Sequence, residues 1–200
     1  VHAARRLKEM GTATLFSLSW SSSVMETLRN LGSGVSVNLV ESSPGGEGAK
    51  AAEALVKEGF RVTLYPDSAM HVAMRDCHAV LLGSDAVLYN GDFVNKTGSA
   101  IAARLCECLS IPLLVVTESI KLCPTSRWNR ESAPWHPVGT QSPNLLVWSE
   151  PFEVVDGDLV STYVTDAGIL DRDGVVEGCA AFRKELDALS ILEPFFGEEL

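Results

Sequence analysis

Nothing in this chain is apolar for long enough to cross a bilayer. Its longest apolar stretches, residues 111–116 and 145–148, are strand-sized, against the roughly 20 residues that a membrane helix needs. The N-terminus also lacks the apolar core of a secretory signal. No membrane association is expected, and the expected location is cytoplasmic. Positive charge is scarce as well: 16 Lys and Arg stand against 26 Asp and Glu, for a formal net charge of -10. The basic patch at Arg5, Arg6 and Lys8 is too short to follow a phosphate backbone, so direct nucleic-acid binding is not expected.

Metal and cofactor signatures are missing too. His2, His71, His78 and His136 show no ligand spacing. The five cysteines (Cys77, Cys106, Cys108, Cys123, Cys179) form an odd, unpatterned set. Cys106 and Cys108 fall two apart in a predicted helix, where side chains diverge around the axis. Reduced, mostly buried thiols are the expectation. The glycine spacing matches neither the dinucleotide fingerprint nor the P-loop, so no cofactor is expected. There is no G-x-S-x-G elbow of a serine hydrolase, and no internal repeat. At 200 residues the chain suits one domain with a sizeable core.

What is present is an alternation of strand and helix signals, the pattern of a parallel sheet covered by helices. Strands are predicted at 12–17, 35–40, 60–65, 79–82 and 111–116, with a further short one at 145–148. Helices are predicted at 24–31, 47–58, 68–75 and 98–109. Residues 83–96 read as a loop. Residues 124–143, rich in Pro, Ser, Asn and Trp, read as a long surface loop of the kind that carries function or stays disordered. Within it, Trp128 and Trp135 are either contact residues or the loop's own small core. The chain opens without Met on V-H-A-A-R-R-L-K-E-M-G. Residues 1–11 therefore read as the end of a preceding helix in a longer polypeptide. A Rossmann-like domain is expected over 12–168, and a tail, helical at 180–189, over 169–200.

Candidate site residues gather where predicted strands end, and in a parallel sheet those ends converge on one crevice. Asp85 follows the apolar run 79–82 and Gly83. A carboxylate there serves as a general acid or base, binds a ligand hydroxyl, or caps its own turn. Asn95 and Lys96 precede a helix start, a plausible phosphate cradle of amide, ammonium and helix N–H groups, although a solvated lysine is the commoner outcome. Ser19, Ser21 and Ser22 join a strand to a helix, as caps or as anion ligands. Glu41 with Ser42 and Ser43 marks a third strand end. Asn90, Gly91 and Asp92 read as a structural turn.

The block G-S-D-A-V-L-Y-N-G-D-F-V-N-K-T-G-S at 83–99, followed by I-P-L-L-V-V-T-E-S-I-K-L-C-P at 111–124, resembles the C-terminal domain of the translation initiation factor 2B α/β/δ family. That family includes ribose-1,5-bisphosphate isomerase and methylthioribose-1-phosphate isomerase. The likeness extends to S-L-S-W-S-S-S-V-M-E-T-L (17–28), E-S-S-P (41–44) and P-F-E-V-V-D-G-D-L-V-S-T-Y-V-T-D (151–166). The resemblance implies a Rossmann-like three-layer α/β domain with a mostly parallel sheet. It also implies association as a homodimer or with related subunits, and a phosphorylated small molecule as ligand. For an isomerase it makes Asp85 the catalytic acid and Asn95 and Lys96 phosphate ligands. Two departures stand out. Ser19 occupies the position that matches the isomerases' catalytic cysteine, and a hydroxyl is a poor proton relay beside a thiol. Ser43 stands where the family tends to carry a phosphate-clamping arginine. The expected function is thus a noncatalytic initiation-factor-2B-like subunit. The alternatives are an aldose–ketose isomerase of a ribose phosphate, or an interaction surface built on the 124–143 loop.

Overall fold

The computed structural model describes residues 1–125, 127, 128 and 150–188. The chain starts with helix α1 (His2–Glu9), then alternates β1 (Thr14–Leu18), α2 (Ser22–Leu31), β2 (Ser36–Val40), α3 (Glu47–Lys57) and β3 (Arg61–Tyr65). A short α4 (Met70–Met74) leads to β4 (Ala79–Gly83). Two small strands follow, β5 (Ala86–Val87) and β6 (Phe93–Lys96), before α5 (Ser99–Leu109) and β7 (Leu113–Val116). The last elements are β8 (Phe152–Val155), β9 (Thr162–Val164), β10 (Ile169–Leu170) and α6 (Arg172–Ala188).

Among the described residues seven strands form one sheet in the order β10-β9-β7-β4-β1-β2-β3. All neighbours are parallel except β10, which runs antiparallel to β9. The near-continuous apolar run of β4 is buried at every position, as a strand covered on both faces must be. Alternate residues feed two cores. Phe16, Val80, Leu82, Leu113 and Val115 pack on one side with Met70, Met74, Ala102 and Cys106 from α4 and α5. Leu15, Val37, Leu39, Leu81 and Leu114 pack on the other with Leu7, Val24, Leu28 and Leu55 from α1, α2 and α3. The protein is therefore a three-layer α/β domain with a mostly parallel sheet. No helix among the described residues is long and apolar enough to cross a membrane.

The strands and helices read from the sequence up to residue 116 are present to within a few residues. The exception is 83–96. It is not simply a loop: β5 and β6 form an antiparallel hairpin connected by residues 88–92, which include Asn90, Gly91 and Asp92, and β8 pairs with β6 to complete a second, three-stranded sheet. Its strands of two to four residues are too short for a periodic signal. α6 begins eight residues earlier than the predicted 180–189, because Asp171 Oδ1 accepts from Gly174 N (2.9 Å) and starts the helix at Arg172. Val175 and Cys179 then enter the α4/α5 core. The predicted strand at 145–148 and most of the 124–143 loop, including Trp135, lie outside the described residues.

Candidate ligand-binding crevice

The strand order reverses between β1 and β4. From β1 the chain moves outward through β2 and β3, and then resumes on the other side with β4 and β7. Such a reversal leaves a crevice at the carboxyl ends of the strands, the usual ligand position in open α/β sheets. Here the two sides touch. A Cβ on Gly83, at the end of β4, would lie 2.3 Å from Ser21 Oγ. Glycine at that position lets the serine elbow after β1 meet the Ser84, Asp85 turn after β4.

Each sequence-derived residue has a defined place around this crevice. Ser19 sits in the left-handed region (φ 61°), and its N–H donates to Ser42 Oγ at 2.8 Å. Ser21 caps α2, its Oγ accepting from Val24 N at 3.4 Å, while Ser22 opens the helix and faces solvent. Glu41 is exposed at the end of β2, where its N–H donates to Tyr65 O. Asp67, which sequence reading overlooked, accepts from Ser42 N (2.9 Å) and Ser43 N (2.7 Å). It fixes the loop that in turn holds Ser19.

Asp85 stands at the lip with a solvent-facing side, yet the protein mass around its carboxyl raises its pKa, and the Lys121 ammonium opposes that rise. Lys121 is anchored by donating to Ser84 O (2.8 Å), beside the buried Ser84–Thr117 hydroxyl pair (2.7 Å). A raised carboxyl in a crevice is the property that a general acid needs.

The segment after β6 differs most from a free cradle. Asn95 Nδ2 donates to Ser99 Oγ (2.8 Å), whose hydroxyl donates to Lys96 O (2.6 Å). The N-terminus of α5 is already occupied by a carboxylate, since Glu153 Oε1 accepts from Gly98 N (2.7 Å) and Ala100 N (2.9 Å). The Lys96 ammonium lies 3.2–3.3 Å from both oxygens of Glu47, at the start of α3. Lys96, Asn95 and the α5 N-terminus thus come together as the sequence suggested, but each has an internal partner. Asp92 is structural: its carboxylate accepts from Gly157 N (3.0 Å) and Asn90 Nδ2 (2.8 Å) in the hairpin turn.

The architecture and the order of these motifs agree with a known family. Residues 3–172 match the model of the initiation factor 2 subunit family. The chain belongs to that family. It is 30% identical over 166 residues to translation initiation factor eIF2B subunit beta of Dictyostelium discoideum, covering 78% of this chain and 43% of that protein. It is 26% identical over 184 residues to ribose 1,5-bisphosphate isomerase of Thermococcus kodakarensis, covering 86% of this chain and 56% of that protein. A solved structure of translation initiation factor eIF-2B from Pyrococcus horikoshii OT3 superimposes with a TM-score of 0.71 at 26% identity, over 86% of this chain and 66% of the other. The chain spans about half the length of the two curated relatives. Family members of both kinds, initiation-factor subunits and sugar-phosphate isomerases, stand at similar distance.

Proposed function

We propose that this protein is a noncatalytic, subunit-like member of its family, acting in the cytoplasm, whose crevice serves as a regulatory site for a phosphorylated sugar or nucleotide. The observation that carries this reading is the occupancy of the crevice by the protein's own carboxylates. Glu47 neutralises Lys96, Glu153 caps the α5 N–H groups, and Asp67 fills the Ser42, Ser43 amides. An enzyme needs that ammonium and those N–H groups free to hold its substrate at every turnover, whereas a regulatory ligand need only displace a carboxylate when it is abundant. Ser19, at the position of the isomerases' thiol, weighs in the same direction. Self-association, or pairing with a related subunit, is part of the proposal. It is supported by apolar side chains left exposed on neighbouring elements, Ile101 on α5 and Val154 on β8, the kind of surface that a second subunit covers.

A second reading, aldose–ketose isomerase of a ribose phosphate, is favoured by the raised Asp85 carboxyl, which suits the proton transfer between adjacent carbons of such a substrate. In it, Asp85 moves the proton while Asn95, Lys96, Ser19, Ser21, Ser22 and Glu41 position the ligand.

The test of the first reading pairs two measurements on the full chain. Sedimentation equilibrium should show reversible self-association. Thermal unfolding with millimolar ribose 1,5-bisphosphate should show a stabilising shift that Lys96→Ala removes. A strictly monomeric chain with no shift would overturn it.

A further inference from the structure

The run Gly45, Gly46, Glu47, Gly48 has a structural purpose beyond a turn. Gly46 sits in the left-handed region (φ 68°) and precedes α3. A Cβ on Gly48 would lie 1.8 Å from Val40 O, so the first turn of α3 presses directly on the end of β2. A Cβ on Gly45 would lie 2.1 Å from Glu47 Oε1 and 2.6 Å from its Oε2. The Glu47 side chain therefore folds back over a backbone with no side chain of its own, and its carboxylate reaches the almost fully buried Lys96 ammonium across 49 residues of sequence.

That contact is a poor device for stability. Glu47 Oε2 is buried and makes no hydrogen bond, although it lies 3.2 Å from Lys96 Nζ. An ion pair in which the carboxylate side chain is still one-third exposed (34%) and one oxygen makes no hydrogen bond adds little net stability. The geometry is instead that of an anion seated on a cation, with Gly45 leaving open the space into which the carboxylate folds.

We propose that Glu47 is a tethered occupant of the Lys96 anion site, so that this subsite excludes a phosphate group until the carboxylate leaves. The inference rests on the reading of the crevice as a phosphate-ligand site. It makes Glu47 the residue that sets affinity there, because an incoming dianion must displace a like-charged group from the same ammonium.

The experiment is calorimetric titration of the full chain with ribose 1,5-bisphosphate. Wild type is compared with Glu47→Gln, Gly45→Ala and the double variant Glu47→Gln with Lys96→Met, each checked for its fold by circular dichroism. Gly45→Ala keeps the carboxylate but displaces it, so it serves if Glu47→Gln does not fold. Both single variants should bind at least about tenfold more tightly than wild type, the scale of one charge-assisted hydrogen bond, and the double variant should lose that gain. Equal affinity in wild type and both single variants, abolished in the double variant, would overturn the tethered occupant while leaving the phosphate site standing. Binding by none of them would overturn both.

Discussion

Substituting Gly83 by Ala puts the switch-point contact to a quantitative test. The new methyl would stand 2.3 Å from Ser21 Oγ and 2.7 Å from Ser21 Cβ, well inside van der Waals contact, and neither atom belongs to a long flexible side chain. Overpacking of this kind costs about 1–3 kcal/mol. Pushing Ser21 aside also costs its cap on α2, about 1 kcal/mol. Gly83 does not have a positive φ, so alanine adds no backbone strain and recovers about 0.5–1 kcal/mol of chain entropy. The balance is a destabilisation of about 1–3 kcal/mol, read as a lower urea midpoint with an unchanged slope. The contact predicts its own rescue. Ser21→Gly removes both offending atoms and costs only a few tenths as a cap, so the double variant should return to within about 1 kcal/mol of wild type. A Gly83→Ala protein as stable as wild type, or one that Ser21→Gly does not rescue, would refute the claim that the serine elbow and the end of β4 meet.

Four further outcomes follow from the same geometry. Glu153→Gln removes the charge that accepts from Gly98 N and Ala100 N, and thermal unfolding should register a loss of about 1 kcal/mol. Burial holds the thiols of Cys77 and Cys179 up at about 11 and that of Cys106 up at about 12. These groups ionise in the unfolded chain before they do so in the folded one. Their contribution to stability is intact below pH 9 and lost as the pH climbs toward 11–12. In native protein at pH 8, iodoacetamide should modify the exposed Cys108 well before these three. Finally, because burial raises the Asp85 carboxyl, its charged form costs stability in the fold. Asp85→Asn should unfold at higher urea than wild type at pH 7, an advantage that grows as pH rises through the folded pKa and vanishes below the ordinary carboxylate value.

The central layer of the fold was legible because it rests on local physics. The apolar run of β4 is sheltered on both faces, and Val24 and Leu28 on α2 recur at helical spacing to cover one of them. Smaller elements left no such trace. Thr162–Val164 and Ile169–Leu170 are too short to show alternation. In β8, Glu153 reads as an ordinary surface acid until the fold sets it on the start of α5. The site divides along the same line. Asp85, Ser19 and Glu41 announce themselves by following strand ends, a property of neighbours in sequence. The partners that decide what Lys96 and Ser42 do, Glu47 and Asp67, lie 49 and 25 residues away. One signal was available: glycines on both sides of a single glutamate are uncommon at a helix start unless the backbone must approach something closely.

The proposed lack of isomerase chemistry is tested most directly by turnover. The full chain, confirmed folded, is incubated with ribose 1,5-bisphosphate, and in a second series with methylthioribose 1-phosphate, and ketose formation is followed by NMR beside an Asp85→Asn control. No ketose above the control is expected with either substrate. Ketose formed by the wild-type chain and abolished by Asp85→Asn would contradict the proposal, and would make the Asp85 carboxyl the acid–base group of a working isomerase.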